Sequence, residues 1–175
     1  DVMNGEMDYL FSLFNSSSQV FQYAFTMDSK KVYWLEPNAT FEGNGAQYSD
    51  SQASSGIWTQ FVCTYDGSTF NIYKDGAVDA SRTVSASLAS GTFDKFRIGV
   101  SHGLGNYFTG YLDEIIIWNT ALSSSEITAL YNSGKPISAS SNSGNYTSSA
   151  NVQGYWRFNE NSGTTAYDLS GNGNH

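Results

Sequence analysis

The stretch Ile57–Gly76, IWTQFVCTYDGSTFNIYKDG, decides the fold. In its first half Phe61, Cys63 and Tyr65 alternate with Gln60, Val62 and Thr64, the period of two that sends successive side chains to opposite faces of a strand. Asp66-Gly67 follows, a pair that tolerates positive φ and suits a tight reversal. The second run, Phe70 to Lys74, sets Phe70 and Ile72 on one face and stops at another such pair, Asp75-Gly76. Two Asp-Gly turns nine residues apart, bracketing an aromatic strand, do not fit a helical protein. They predict an antiparallel, all-β domain.

Composition agrees. At 175 residues the chain is one domain, or one plus a fragment, and is long enough to bury a substantial core. Aromatic residues (15%) outnumber charged ones (14%), glycine is abundant (17) and proline scarce (2), the profile of a β-sandwich with many short turns. The net charge of -8, with only 8 scattered Lys and Arg, argues against a nucleic-acid partner, because phosphate binding needs clustered cations. Such acidity fits either a cation site or solubility. Cys63 is the only cysteine, so no internal disulfide forms, and its place on the inward face of its strand predicts a core thiol. No run of about 18 apolar residues is present, so no membrane span is expected. No signal peptide is visible; a piece of a longer secreted or surface protein would read the same.

Working outward, Met7–Phe14 (MDYLFSLF) reads as a strand apolar on both faces. Val20–Met27 and Lys31–Leu35 read as a hairpin around Asp28-Ser29-Lys30. Residues 37–56 are polar and Gly-rich, a loop holding at most one short strand. After the central hairpin, residues 80–90 read as a strand edge and loop, 93–101 as a strand, and 102–110 as a Gly-rich loop. Tyr111–Trp118 is the most hydrophobic strand and is expected to be central. Leu122–Gly134 is the one helix expected. Ser123 and Glu126 match a capping box, Ile127, Leu130 and Tyr131 form its apolar stripe, and Gly134 is a fit stop.

These motifs resemble a family. Trp58, then F-V-C-T-Y-D-G and N-I-Y-K-D-G, is similar to the central hairpin of the laminin-G-like, pentraxin-like branch of the concanavalin A-like lectin/glucanase superfamily. Gly110–Trp118 (GYLDEIIIW), with Ala121-Leu122-Ser123 and Glu126-Ile127, resembles the closing strand and short helix of that family. The resemblance covers Trp58 to about Gly134 and implies a two-sheet antiparallel jelly-roll sandwich, used for glycan binding, for adhesion or as an accessory module. Fold alone does not settle function.

Residues 1–137 look like such a sandwich lacking its usual first strands. Residues 138–151 (SASSNSGNYTSSAN) read as a flexible Ser/Asn/Gly-rich linker. Residues 152–175 (VQGYWRFNENSGTTAYDLSGNGNH) resemble the opening strands of a laminin-G-like domain, displaced to the back. Three accounts are open: a window cut from a tandem array, a circular permutation, or strand exchange with a neighbouring copy. Burial of Tyr155, Trp156 and Phe158 favours a paired segment over a dangling one, and completion of the chain's own sandwich is the preferred reading.

Two kinds of site are expected. Residues 168–174 (DLSGNGN) pack one carboxylate and two carboxamides among glycines, the mixture of oxygens that hard cations such as Ca²⁺ take; the competing reading is an Asx-rich turn that needs no ion. In the resembled family the aspartates of this motif and of the G-Y-L-D-E strand share a structural calcium, which implies Asp168 and Asp113 here, with Asn172 or Asn174 adding oxygens. For glycan binding, Tyr48, His102, Asn106 and Tyr107 lie in predicted loops and combine aromatic platforms with hydrogen-bonding groups; core packing is the competing use of any one aromatic. Catalysis finds little support. The E-x-D-x-x-E string of glucanases with this fold is missing, and neither His102 nor His175 has an identifiable nucleophile partner. The expected protein is thus a non-catalytic carbohydrate-binding or adhesion module of an extracellular or cell-surface protein, partnered by a glycan or another extracellular protein. A structural or protein-binding repeat, or the accessory domain of a polysaccharide-degrading enzyme, are the alternatives.

Overall fold

The computed structural model of the protein describes residues 8–17, 20–28, 30–40, 44–83, 94–101 and 103–175. Among them ten strands form three antiparallel sheets beside one short α-helix, the all-β class expected and consistent with a concanavalin A-like sandwich. The largest sheet has five strands: β1 (Asp8–Asn15), β2 (Val20–Asp28), β3 (Lys31–Thr40), β4 (Asn44–Tyr48) and, beyond three others in the chain, β8 (Lys95–Ile98), in the order β4-β3-β2-β1-β8. The central hairpin and its continuation, β5 (Phe61–Tyr65), β6 (Thr69–Lys74) and β7 (Ala77–Thr83), make the second sheet. The third is a pair, β9 (Ile115–Trp118) with β10 (Val152–Trp156).

The two Asp-Gly turns act as their chemistry requires. At the first, the Asp66 carboxylate accepts the backbone N–H groups of Ser68 (2.9 Å) and Thr69 (2.7 Å), an Asx turn that reverses the chain. At the second, Asp75 (φ 51°) and Gly76 (φ 79°) are both left-handed, the type I′ geometry whose twist matches a two-residue hairpin loop.

Strand alternation splits the interior in two. Phe61, Cys63, Tyr65, Phe70 and Ile72 face the five-stranded sheet, where Trp34 belongs to both packed clusters and Phe25, Val32 and Leu10 are buried. Burial pushes the Cys63 thiol well above its usual range, as a core thiol requires. Val62 and Tyr73 point the other way, into a second core made by Leu122, Ile127, Leu130, Tyr146, Val152 and Tyr155. The three-stranded sheet is therefore covered on both faces.

The helix α1 runs from Ser124 to Tyr131 with the expected capping box: Ser123 Oγ accepts Glu126 N–H, and Glu126 accepts Ser123 N–H at 3.0 Å. It ends earlier than Gly134, because Asn132 adopts the left-handed conformation (φ 44°) and its Nδ2 donates to the Lys135 carbonyl. Two other expectations are corrected. β3 runs through Pro37 to Thr40, and its pairing with β4 is broken between Leu35 and Thr40, where proline has no N–H to offer. Tyr111–Trp118 is strand only from Ile115, since Glu114 sits at φ 52°, and among the described residues it pairs with β10 alone rather than lying inside a large sheet.

The segment read as a linker is packed against the second core. Ala139 and Tyr146 are fully buried, the Tyr146 hydroxyl donates to the Ala139 carbonyl (2.9 Å), and Trp118 Nε1 donates to that hydroxyl (3.0 Å). Glu126 fastens it to the helix by accepting from Thr147 Oγ1 (3.1 Å) and Ser148 Oγ (2.6 Å). Beyond it, β10 lies antiparallel to β9 of the same chain, and Trp156 stacks on Phe96 of β8, ring centroids 5.1 Å apart.

Candidate ligand-binding site

Of the four residues expected to bind glycan, the three described ones fall in two places, Tyr48 apart from Asn106 and Tyr107. His102 lies outside the described residues. Tyr48, Tyr33, Thr26, Tyr9 and Tyr107 form one transverse row, each paired with the next. Tyr48 and Tyr107 stand at its two ends, about 19 Å apart at ~4.8 Å per strand spacing. The Tyr48 ring is flanked by the Arg82 guanidinium (4.9 Å) and the Lys31 ammonium (5.6 Å), which take up its negative face. Asn106 (φ 50°) turns its carbonyl to accept Tyr9 N–H, and Tyr107 beside it is 63% exposed.

The four residues expected to hold a cation are arranged for another purpose. Asp168 is buried, and its two carboxylate oxygens accept five donors: Tyr155 N–H (2.9 Å), Ser170 N–H (2.9 Å), Ser170 Oγ–H (2.7 Å), Asn174 N–H (3.0 Å) and Asn174 Nδ2–H (3.1 Å). Asn172 Nδ2 donates to the Val152 and Gln153 carbonyls, and Asn174 Nδ2 also to Gln153. The carboxamides thus present N–H groups inward, where a cation needs oxygens. Asp113 is exposed and accepts Glu114 N–H (2.8 Å). Among the described residues no group of three His, Cys, Asp or Glu side chains could hold a metal. This donor set does not fit calcium. It closes an Asx-rich loop, and the hydrogen bonds from Ser170, Asn174 and Tyr155 outweigh the opposing effect of burial, holding the Asp168 carboxyl down at about 2.

It is Glu114, not Asp113, that reaches the C-terminal segment. Its left-handed backbone turns the carboxylate to accept Tyr155 Oη–H and Arg157 Nε–H (2.7 Å). Burial, then donation to Glu114, push the Tyr155 hydroxyl up to about 12, so the proton stays on tyrosine. Arg157, so oriented, lines a surface cleft of about 330 Å³ with Asn159, Glu160, Tyr167 and Leu169. Glu160 accepts Tyr167 N–H (2.9 Å), His175 packs edge-on to the Tyr167 ring (centroids 5.5 Å), and Tyr167 and Leu169 remain about half exposed. Phe158 and Asn161 hold the intervening turn at φ 52° and 58°, a conformation unusual for a bulky aromatic and stored only where the surroundings demand it. Sequence reading missed this cleft because its key contact joins residues 114 and 157, which no local pattern connects.

The laminin G family model of the concanavalin A-like lectin/glucanases superfamily matches residues 2–128. The chain belongs to this family. Laminin-G-like domains are generally non-catalytic binding modules, and the match takes in both large sheets and β9. β10 and the cleft lie beyond it. No curated protein sequence matches the chain. Among solved structures, an S-layer domain-containing protein from Clostridium thermocellum (residues 221–444) is similar, with 24% identity, a TM-score of 0.38, and coverage of 72% of this chain. The chain spans 63% of that one.

Proposed function

We propose that this laminin-G-like chain is a non-catalytic carbohydrate-binding or adhesion module of an extracellular or cell-surface protein. The observation that carries the reading is the set of aromatic rings left in water: Trp58, Tyr107, Tyr111 and Tyr167 are each more than half exposed, all on loops. Exposed aromatic rings are the usual platforms for sugar C–H faces and for protein partners.

A glycan-array experiment with the folded protein tests this, run with Ca²⁺ and again with EDTA. Binding to a defined glycan class, indifferent to EDTA, is the expected result. No binding in either condition by folded protein would transfer the reading to a structural or protein-binding repeat.

A further inference from the structure

The cleft at the C-terminal segment has the composition of a sugar site, and we propose that it binds a neutral hexose unit of a polysaccharide. The inference rests on the carbohydrate-binding reading above and adds the place and the chemical class of the ligand.

Each hydroxyl of a sugar both donates and accepts, so a pair of neighbouring hydroxyls is best met by donors and acceptors set side by side. The cleft supplies both. The Arg157 guanidinium donates, the Asn159 carboxamide does either, and the Glu160 carboxylate accepts. Glu114 fixes Arg157 through Nε, which settles the direction of the guanidinium before any ligand arrives. The Tyr167 ring and Leu169, each about half exposed, line the same cleft and offer apolar surface for the C–H face of a pyranose. The cleft is shallow and open to solvent, about 330 Å³, a shape that admits one unit of a longer chain.

Charge selects the neutral class. Glu114 already balances Arg157, the Asp113 carboxylate acts on the same guanidinium, and Glu160 adds a further negative charge with no cation paired to it among the described residues. The chain as a whole carries -8. A uronate or sulfated sugar would meet this excess of negative charge, whereas a neutral hexose would not.

Isothermal titration against soluble polymers tests the proposal: a β-1,4-glucan, a β-1,3-glucan and a mannan as neutral probes, with polygalacturonate as the anionic one. Wild type is compared with Tyr167→Ala, Asn159→Ala and Tyr107→Ala. All three replaced side chains are exposed, so each variant is expected to fold, which circular dichroism checks. The expected result is binding of a neutral polymer, weakened about tenfold by Tyr167→Ala, measurably by Asn159→Ala, and less by Tyr107→Ala than by either. Amide resonances of residues 157–160 and 167–169 should shift on titration. Loss of binding in Tyr107→Ala with none in Tyr167→Ala would overturn the location while leaving the module reading intact. Preference for polygalacturonate would overturn the ligand class alone. Failure of folded wild type to bind any polymer would overturn both.

Discussion

Replacing Asp168 by asparagine tests whether the C-terminal loop is closed by hydrogen bonds or by a metal. The carboxyl falls from an ordinary value of 3.8 to about 2 in the folded chain, which corresponds to about 2.5 kcal/mol of stability at neutral pH. The folded value is the lower one, so this contribution is fully present above about pH 4 and is lost as the pH falls through 2. At pH 3 about half of it remains. Asparagine keeps the shape but removes the charge and turns an NH₂ toward donors that now have nothing to meet: the N–H groups of Tyr155 and Ser170, or those of Asn174. The variant should melt about 5–10 °C below wild type at pH 7, at roughly 2–4 °C per kcal/mol for a chain of this size. The gap should narrow by about half at pH 3. Scanning calorimetry at both pH values, with Ca²⁺ and with EDTA, reads every part of this. The reasoning fails if Ca²⁺ raises the melting temperature of wild type and not of the variant, or if the gap between them is the same at pH 3 as at pH 7.

Two further changes probe the same architecture. Glu126→Gln removes the charge and turns into NH₂ one of the two oxygens that join residues 147 and 148 to the helix cap; burial opposes the ionisation of Glu126, but donors from Ser148, Ser123 and Thr147 hold the carboxyl at about 2 against an ordinary 4.5. The substitution should cost about 3 kcal/mol at pH 7 in urea unfolding, and wild type should lose that advantage as the pH drops from about 4.5 toward 2. Gly154→Ala sets a methyl against the indole that folds back over it, since a Cβ there would stand 2.4 Å from Cη2 of Trp156. Trp156 cannot yield without leaving its stack on Phe96, so a loss of about 1–3 kcal/mol with a shift in tryptophan emission is expected; an unchanged spectrum and melting temperature would count against that packing.

The sheets were legible because strands of this chain announce themselves locally. Alternation in Phe61–Tyr65 and the left-handed tolerance of Asp-Gly are properties of a few consecutive residues, and so is the Ser123/Glu126 capping box. What the sequence hides is what a side chain meets across the fold. Tyr48 reads as a loop platform until Lys31 and Arg82 are seen at its ring. Asp113-Glu114 reads as a strand pair pointing to opposite faces, until the left-handed Glu114 swings its carboxylate to Tyr155 and Arg157. The run 138–151 looks like linker by composition, because its small polar residues carry no core signal; its place in the fold depends on Tyr146 and on acceptors supplied by Glu126 and Ala139.

The acid-rich composition has a mechanical explanation in these contacts. Loops of Ser, Asn and Gly bury little apolar area, and ordering each residue costs roughly 1–2 kcal/mol of backbone entropy. A carboxylate can offset part of that cost at one point, because it accepts several N–H and O–H donors and each charged hydrogen bond is worth more than a neutral one. The described loops use this repeatedly. Asp79 accepts from Asp50 N–H (2.7 Å) and from both the N–H and the hydroxyl of Ser51; Asp94 takes Ser16 N–H (2.8 Å) and its hydroxyl. Asp66, Glu126 and Asp168 hold their own turns in the same way. Part of the chain's acidity thus serves to staple loops, and the buried members of the set, Glu126 and Asp168, lose their contribution in the same direction as the pH falls.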